Sequence, residues 1–214
     1  MRYLYLHGFA SGPRSKKGLR FDAAFRELGV PLERLDLNVP SFSALSPRAM
    51  VREVERAAGG DEVALLGSSL GGWTAARFAE LRPERVARLV LLCPAFDLCG
   101  RWPRLLPEGA MERWRTTGTW TFEDGEGRPT PVHYRFYEEC CEEPAFPDVR
   151  CPTLLVHGTR DETVPVDSSR RYAATRPHVE LVEVDDGHDL LASLETIVER
   201  AMSFLGLRST APPR

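Results

Sequence analysis

Residues 63–81 constrain the fold of this chain more than any other segment. Their first part is an apolar run, too short for a helix, that ends at Gly67. After two further glycines, apolar positions return at helical spacing, at Trp73, Ala76 and Ala79. The segment therefore predicts a strand, a sharp turn and a helix, which places the chain among folds that pack helices against a sheet.

The turn reads Gly-Ser-Ser-Leu-Gly at residues 67–71, which fits the pattern G-x-S-x-G. In this pattern the central serine occupies strained backbone that exposes its hydroxyl, and the flanking glycines let strand and helix come close. The unpaired N–H groups at the start of the helix point at any oxyanion that forms there. The spacing favours Ser69 over Ser68 as a nucleophile, although the pentapeptide alone is a weak pattern.

Short apolar strands alternate with helical segments along most of the chain. The expected strands are residues 2–6, 34–39, 63–66, 85–92, 152–156 and 179–184. Because these strands are apolar throughout, they predict a parallel sheet covered by helices on both faces, with functional groups at the carboxyl ends of the strands. We expect one α/β domain over residues 1–208, a last helix over 190–205 and a disordered tail at 209–214.

Residues 95–149 interrupt this alternation and contain three of the four tryptophans. Two stretches with a period of two, 119–122 and 132–136, flank the turn residues 124–127 and predict a β-hairpin. We interpret the whole segment, called the insertion below, as a small lid over the carboxyl ends of the strands. An ordinary linker with a few core aromatic residues is the alternative.

Composition limits the possible functions and partners. The chain has 214 residues, of which 43% are hydrophobic and 28% charged, and its net charge of −3 gives no indication of nucleic-acid binding. No apolar run approaches the ~18 residues that span a membrane, and residues 2–6 are too short for a signal peptide, so we expect a cytoplasmic protein. The five cysteines form no C-x2-C pair, and reduced, buried thiols are expected. The spacing of acidic, histidine and cysteine residues indicates no metal, and no cofactor is expected.

Three polar residues follow three of the expected strands in the order Ser69, Asp161 and His188. Nucleophilic serine catalysis needs a base that takes the hydroxyl proton and an acid that orients that base. This chain order is typical of a nucleophile that follows a strand of an α/β sheet. Asp97, after the preceding strand, is the alternative acid, but only Asp161 is closely followed by a Val-Pro pair.

The other four histidines compete weakly with His188 for the role of base. His178 precedes a strand at the opposite edge of the sheet, and His133 lies in the insertion. His7 and His157 each precede a glycine at the end of a strand, where a structural, hydrogen-bonded imidazole is expected.

Two backbone N–H groups are expected to form an oxyanion hole. One belongs to Leu70, directly after the nucleophile, and the other to Phe9, where Gly8 permits close approach of the backbone. The Phe9 ring would line the acyl site. With three aromatic residues of the insertion it completes the predicted substrate-binding set, namely Phe9, Trp120, Phe122 and Tyr134.

Four motifs resemble those of the α/β-hydrolase superfamily. They are His-Gly-Phe at 7–9, Gly-Ser-Ser-Leu-Gly-Gly at 67–72, His-Gly at 157–158 with Asp161 and Val-Pro at 164–165, and Gly-His at 187–188. Residues 3–11 with Pro-Arg-Ser at 13–15 resemble the small bacterial YqiA-type esterases. Residues 67–73, with 82–86 and the hairpin that carries Trp120, resemble mitochondrial depalmitoylating hydrolases.

The resemblance implies a six-stranded, all-parallel sheet without the antiparallel amino-terminal hairpin of larger members. It also implies cleavage of carboxylic esters with small to medium acyl groups through an acyl-enzyme on Ser69. An acyl thioesterase or depalmitoylase with the same triad is the alternative, and the partner would be a small-molecule acyl ester or thioester. A monomer or weak homo-oligomer is expected. A non-catalytic binding protein on the same fold is the hypothesis from another class.

Overall fold

The computed structural model describes residues 1–207, so the tail expected at 209–214 lies outside the described residues. The strands are β1 (Arg2–Leu6), β2 (Leu32–Leu35), β3 (Val63–Ser68), β4 (Val86–Leu92), β5 (Thr119–Glu123), β6 (Pro129–His133), β7 (Thr153–Gly158) and β8 (Val179–Val184). The helices are α1 (Lys16–Glu27), α2 (Pro47–Ala58), α3 (Leu70–Leu81), α4 (Leu98–Leu105), α5 (Ala110–Thr117), α6 (Arg135–Glu142), α7 (Val166–Ala174) and α8 (Leu194–Phe204). None of the helices within residues 1–207 is long and apolar enough to cross a membrane.

Six strands form the main sheet in the order β2-β1-β3-β4-β7-β8, and every neighbouring pair is parallel. This confirms the predicted six-stranded, all-parallel sheet. Helices cover both faces: Phe21 of α1 and Ile197 of α8 are buried in one core cluster, and Val54 of α2 and Trp73 of α3 in the other. Because the strands are parallel, their carboxyl ends lie along a single edge of the sheet.

The second strand ends earlier than the sequence predicts, at Leu35 rather than at residue 39. Beyond it, the Leu37 N–H donates a hydrogen bond to Nε2 of His7, over 2.9 Å. The Asn38 N–H donates to the Asp36 carboxylate, also over 2.9 Å. Backbone donors that a strand would use for pairing are therefore bound to side chains, and the chain turns away from the sheet.

The last helix begins at Leu194 rather than at residue 190. Leu190 has a φ of 55°, in the left-handed region, where a right-handed helix cannot pass. The Ser193 N–H donates to a carboxylate oxygen of Asp186 over 2.8 Å, which satisfies a backbone donor just before the helix. The predicted helix began too early because the spacing of apolar residues gives no information on the sign of φ, which is positive at Leu190.

The insertion between β4 and β7 contains the predicted hairpin, with Trp120 paired opposite Val132. The predicted extension of its second strand to Phe136 is wrong, because Tyr134 has helical backbone angles and Phe136 lies in α6. The helices α4, α5 and α6 of the insertion were not predicted. Trp114 and Phe136 are fully buried and belong to the same core cluster as the α2 and α3 face of the sheet.

Two cysteines contradict the prediction of reduced thiols. Cys99 in α4 and Cys141 in α6 form a disulfide across 42 residues of sequence. Cys93, Cys140 and Cys151 are free. The sequence spacing gave no sign of the pair, because α4 and α6 become neighbours only through the packing of the insertion.

Candidate active site

Ser69 lies in the sharp turn between β3 and α3, with a φ of 52° and a ψ of −116°. This left-handed conformation is strained for a residue with a side chain. Hydrogen bonds of the Ser69 N–H and of the Ser69 carbonyl hold the residue in this conformation. The Ser69 N–H donates to the Leu92 carbonyl over 2.9 Å, and its carbonyl accepts from the Ala95 N–H over 2.9 Å. The end of β4 therefore fixes the serine at the carboxyl edge of the sheet.

The two glycines of the pentapeptide are required by close approaches of backbone to backbone. A Cβ on Gly67 would overlap the carbonyl oxygen of Gly71, where α3 begins. A Cβ on Gly71 would overlap the carbonyl oxygens of Leu6 and His7, at the end of β1. The strand, the helix and the neighbouring strand can come together around Ser69 only because both positions lack a side chain.

The structure brings Ser69, Asp161 and His188 together in one chain of hydrogen bonds. Nε2 of His188 lies 3.0 Å from Oγ of Ser69, and Nδ1 lies 2.7 Å from Oδ2 of Asp161. With its proton on Nδ1, the imidazole donates to the carboxylate and leaves Nε2 free to accept from the serine hydroxyl. The three residues follow β3, β7 and β8, so three separate loops converge on this point.

Asp161 is fully buried and its oxygens are saturated with donors. Oδ1 accepts from the N–H groups of Thr163 and Val164, over 2.9 and 2.7 Å. Burial alone would raise the pKa of this carboxyl. The hydrogen bonds from His157 and His188, the charge interaction with His188 and the Val164 N–H together outweigh burial and hold its pKa well below the ordinary value. Asp161 is therefore a permanently charged partner for His188 at neutral pH.

His157 contributes more to the site than its predicted structural role implied. Its ring is buried, and Nε2 lies 3.2 Å from Oδ2 of Asp161 and 2.8 Å from the Val164 carbonyl. Nδ1 lies 2.7 Å from Oγ of Ser169. The His157 ring thus fixes the loop after β7 that carries Asp161. The spacing of four residues between His157 and Asp161, across a turn, is the sequence signal that could have indicated this contact.

The alternative acid, Asp97, is not brought to His188. It has a φ of 54° and caps α4, where its carboxylate accepts from the Gly100 N–H over 3.3 Å. Among the other histidines, His178 binds the Val149 carbonyl, and His133 lies at the end of β6. The alternative nucleophile, Ser68, is buried at the end of β3 beside Ser69.

The loop after β1 lies against the serine. A Cβ on Gly8 would come within 3.2 Å of the Ser69 Cβ, which shows how close the backbone of this loop passes. His7 fixes the loop: Nδ1 lies 2.8 Å from the Gly8 carbonyl, and Nε2 accepts from the Leu37 N–H. Burial lowers the pKa of His7, which favours the neutral ring that this pattern requires. Phe9, one of the two predicted oxyanion donors, belongs to this loop.

The other predicted oxyanion donor, Leu70, is the first residue of α3. Its N–H therefore has no acceptor within the helix and is available next to the serine. A cavity of about 280 Å³ opens in front of Ser69, bounded by Gly8, Phe9 and His188. Both expected donors thus come from segments that border Ser69, one from the loop after β1 and one from α3.

Of the four predicted substrate-binding residues, the structure places only Phe9 on this cavity. Phe122 packs against Phe9, with ring centroids 5.1 Å apart, but does not line the cavity. Trp120 lies under the guanidinium of Arg113, 5.3 Å from its ring centroid. Tyr134 packs on Trp114 and Tyr137 inside the insertion, with ring centroids 5.7 and 5.4 Å apart. These three aromatic residues build the insertion and do not border the cavity in front of Ser69.

One group of side chains in the described part of the chain has metal-ligand spacing. Ligand atoms of Cys93, Asp161 and His188 lie within 4.8 Å of one another. Their chemistry is poorly suited to a metal, because Asp161 and His188 already bind each other. Burial also raises the pKa of the Cys93 thiol, which disfavours the thiolate that metals bind. Cys93 was not predicted at the site, and nothing in its sequence context distinguishes it from a core thiol.

Comparisons with known proteins agree with this architecture. Residues 2–206 match the family described as Uncharacterised protein family (UPF0227). The mitochondrial palmitoyl-protein thioesterase ABHD10 of Rattus norvegicus is 25% identical over 224 residues, covering 92% of this chain and 75% of that protein. Matches to its mouse and human counterparts span 52% and 60% of their lengths.

Solved structures resemble the chain over almost all of its length. Alpha/beta hydrolase domain-containing protein 10 from mouse superposes with a TM-score of 0.78 at 23% identity, covering 95% of this chain and 89% of that one. Est1E from Butyrivibrio proteoclasticus, with ferulic acid bound, gives a TM-score of 0.73 at 19% identity, covering 94% and 86%. These likenesses show the α/β-hydrolase fold that the sequence motifs implied.

Proposed function

The chain belongs to the UPF0227 family and has the α/β-hydrolase fold, and we propose that it is a serine hydrolase that cleaves acyl esters or thioesters. The observation that carries this proposal is the unbroken hydrogen-bond chain from Ser69 through His188 to Asp161, at 3.0 and 2.7 Å. A serine in strained backbone, an imidazole within hydrogen-bond distance of its hydroxyl and a buried carboxylate together form the machinery for nucleophilic acyl transfer.

In the proposed acylation step, Oγ of Ser69 attacks the carbonyl carbon of the substrate while Nε2 of His188 takes its proton. Asp161 stabilises the imidazolium that forms. The negative charge on the carbonyl oxygen is stabilised by the N–H groups of Leu70 and Phe9. The tetrahedral intermediate then collapses, the bond to the leaving group breaks, and His188 gives its proton to the leaving oxygen or sulfur.

Deacylation repeats these steps with water as the nucleophile. His188 takes a proton from the water as it attacks the acyl-enzyme, and returns a proton to Oγ of Ser69 when the acid is released. Asp161 stays charged throughout, because its pKa is held well below the ordinary value. No cofactor is required for this sequence of steps.

Esters of small to medium acyl groups are the first proposed substrates, with the acyl group and the leaving group sharing the cavity of about 280 Å³ in front of Ser69. Thioesters are the second candidate, because the rat relative is named a palmitoyl-protein thioesterase. Matched oxygen and sulfur esters of one acyl group separate the two, since a thiol leaves more readily than an alcohol. The cytoplasmic location and the monomer or weak homo-oligomer stay predictions.

Labelling with a fluorophosphonate, followed by peptide mass mapping, tests the proposal. The native protein is expected to carry one label, on Ser69, and Ser69→Ala to lose both the label and, by roughly a million-fold, its kcat. Ser68→Ala is the matched variant and is expected to keep the label on Ser69. Labelling of Ser69→Ala would refute a nucleophilic Ser69 and indicate a nucleophile elsewhere. A native protein that stays unlabelled would favour a binding protein on this fold.

A further inference from the structure

Two lysines and one carboxylate, Asp189, line the cavity in front of Ser69. Of the 28 lysine and arginine residues in the chain only two are lysines, Lys16 and Lys17, and both line this cavity. They form the first turn of α1, which has no acidic residue. The positive end of the helix dipole disfavours cations at this position, and the two ammonium groups also repel each other. Such a local conflict is typical of a functional site.

Neither lysine forms a direct ion pair with a carboxylate within residues 1–207, although Asp189, Asp161 and Asp186 lie near enough to favour the charged form of Lys17. Nζ of Lys17 donates to the backbone carbonyl of Asp189 over 2.7 Å, and Lys16 is exposed with no ion pair within residues 1–207. By contrast Arg20, one turn later in α1, binds the Glu195 carboxylate with Nε and a second nitrogen, at 2.8 and 2.6 Å. Burial lowers the pKa of Lys17, so an anionic ligand beside it would relieve an unfavourable charge.

A buried tyrosine hydroxyl lies at the same cavity. Tyr5 borders this cavity, and its buried hydroxyl makes no hydrogen bond of ordinary length within residues 1–207, although the Ser15 and Ser68 hydroxyls lie nearby. Burial raises the pKa of Tyr5 to about 12, with the nearby hydroxyls of Ser15 and Ser68 acting in the opposite direction. Tyr5 therefore keeps its proton at neutral pH and can donate it to an oxygen of a ligand.

Lys17 contacts the loop that carries His188, and we expect a leaving group on this side of the cavity. Lys17 contacts Asp189, the residue after His188, whereas the Phe9 ring leads to the aromatic packing of the insertion. In acyl transfer the leaving atom must receive its proton from His188, so the leaving group occupies the His188 side.

We propose that the leaving group of the substrate carries an anion, a carboxylate or a phosphate, bound by Lys16 and Lys17 with the Tyr5 hydroxyl. This inference rests on the proposed acyl transfer at Ser69. The acyl C–O or C–S bond breaks as already described, the proton from His188 goes to the leaving atom, and the anionic group is a spectator that orients the substrate.

Two esters that differ only in this charge test the proposal: the butyryl esters of 4-hydroxybenzoate and of 4-hydroxybenzamide. The native enzyme is expected to favour the carboxylate by about ten-fold in kcat/KM, mainly through KM, as charge-assisted hydrogen bonds to an anion imply. In a Lys16→Gln and Lys17→Gln double variant this ratio is expected to fall to near one. The double arginine variant, which keeps the charges, is expected to retain most of the preference.

Two further variants separate the anion site from general effects. Arg52→Gln removes an exposed cation on α2, and its ratio is expected to stay native. Tyr5→Phe removes only the hydroxyl and is expected to reduce the ratio less than loss of the lysines does. Raising the ionic strength should shrink the native ratio, because partly exposed charges are screened.

The butyryl ester of 4-hydroxybenzyl phosphate shows whether a phosphate or a carboxylate is preferred. Phenyl monosuccinate and phenyl succinamate move the same difference in charge to the acyl group, and a preference confined to that pair would overturn the assignment to the leaving group.

A native ratio of one, with Ser69-dependent turnover intact, would refute the anion site while sparing the proposed function. Should turnover itself be absent, calorimetric titration with 4-hydroxybenzoate and 4-hydroxybenzamide decides: equal binding overturns the anion site, and lysine-dependent binding of the carboxylate supports it.

Discussion

The turn at Ser69 and the insertion between β4 and β7 both concentrate residue types that suggest function, but different physical causes place their side chains. Around Ser69, close backbone contacts at Gly67 and Gly71 leave no room for a side chain and fix the turn between strand and helix. In the insertion, Trp114 and its neighbouring rings are placed by packing on one another. The sequence therefore predicted the position of a side chain where local backbone sterics fix it, and did not predict it where packing between distant residues fixes it.

After Ser69→Ala, the largest expected effect concerns the loops that the local backbone positions around Ser69. Asp161→Asn should lower kcat by roughly ten-thousand-fold, because an amide in this position favours the wrong imidazole tautomer of His188. Asp97→Asn changes an equivalent carboxylate that only caps α4, and its kcat should stay close to native. Steady-state rates on a butyryl ester measure both. A large loss in Asp97→Asn with little loss in Asp161→Asn would reverse the roles of the two loops.

This contrast shows how far the sequence predicts the site. The loops that carry Ser69, Asp161 and His188 could be predicted because the strand before each of them is a short, mostly apolar run. Each loop begins at the carboxyl end of that strand. The bounds of β1 and β8 were predicted to the residue. The early end of β2 was not, because a side chain from another strand, His7, takes the Leu37 N–H.

The insertion shows where prediction from sequence stops. A period of two located the hairpin, yet Tyr134 and Phe136 continued that pattern into what the structure shows is a helix. The contacts that decide this are distant in sequence: the Tyr134 N–H donates to the Gly118 carbonyl over 2.8 Å. The disulfide between Cys99 and Cys141 depends on the same packing. Neither the helical backbone at Tyr134 nor the disulfide is indicated by the residues next to it in the sequence.

The disulfide of the insertion is expected to contribute to the free energy of unfolding and not to the reactivity of Ser69. Cys99→Ser opens a crosslink across 42 residues, for which loop-closure entropy gives a loss of about 2–4 kcal/mol in the free energy of unfolding. The triad lies outside the crosslinked helices, so the rate of fluorophosphonate labelling of Ser69 should stay near native. Urea unfolding, with and without a reductant, measures the first quantity. A labelling rate that falls in parallel with stability would show that the insertion positions the triad.

A smaller effect is expected from acid. The pKa of Asp161 is held low in the folded protein, so its ionised form stabilises the fold above the unfolded-state pKa of about 3.9, and this contribution is lost as pH falls below that value. The difference in unfolding free energy between the native protein and Asp161→Asn should therefore be largest near neutral pH and shrink towards pH 3. Denaturant titrations of both proteins across this range measure it. A difference that grows with acidity would contradict the network of donors around Asp161.

The smallest effect concerns Trp120 and bears directly on the lid interpretation. A lid over an acyl pocket predicts that kcat/KM rises with acyl chain length, by about 0.8 kcal/mol per buried methylene, and that Trp120→Ala flattens this rise. The Trp120 ring instead contacts the Arg113 guanidinium, an interaction worth about 1 kcal/mol, and does not border the cavity. We therefore expect Trp120→Ala to lower stability by about that amount and to leave the dependence on chain length unchanged.

Phe9→Ala is the matched change for this last test, because Phe9 is the one predicted substrate-binding residue that borders the cavity. Its removal should alter the dependence on chain length, since the acyl group would lose an apolar wall. Rates for acetyl, butyryl and hexanoyl esters of one phenol provide the comparison. If Trp120→Ala flattened the series and Phe9→Ala did not, the insertion would have to rearrange over the substrate, and its packing in the unliganded protein would not describe the acyl site.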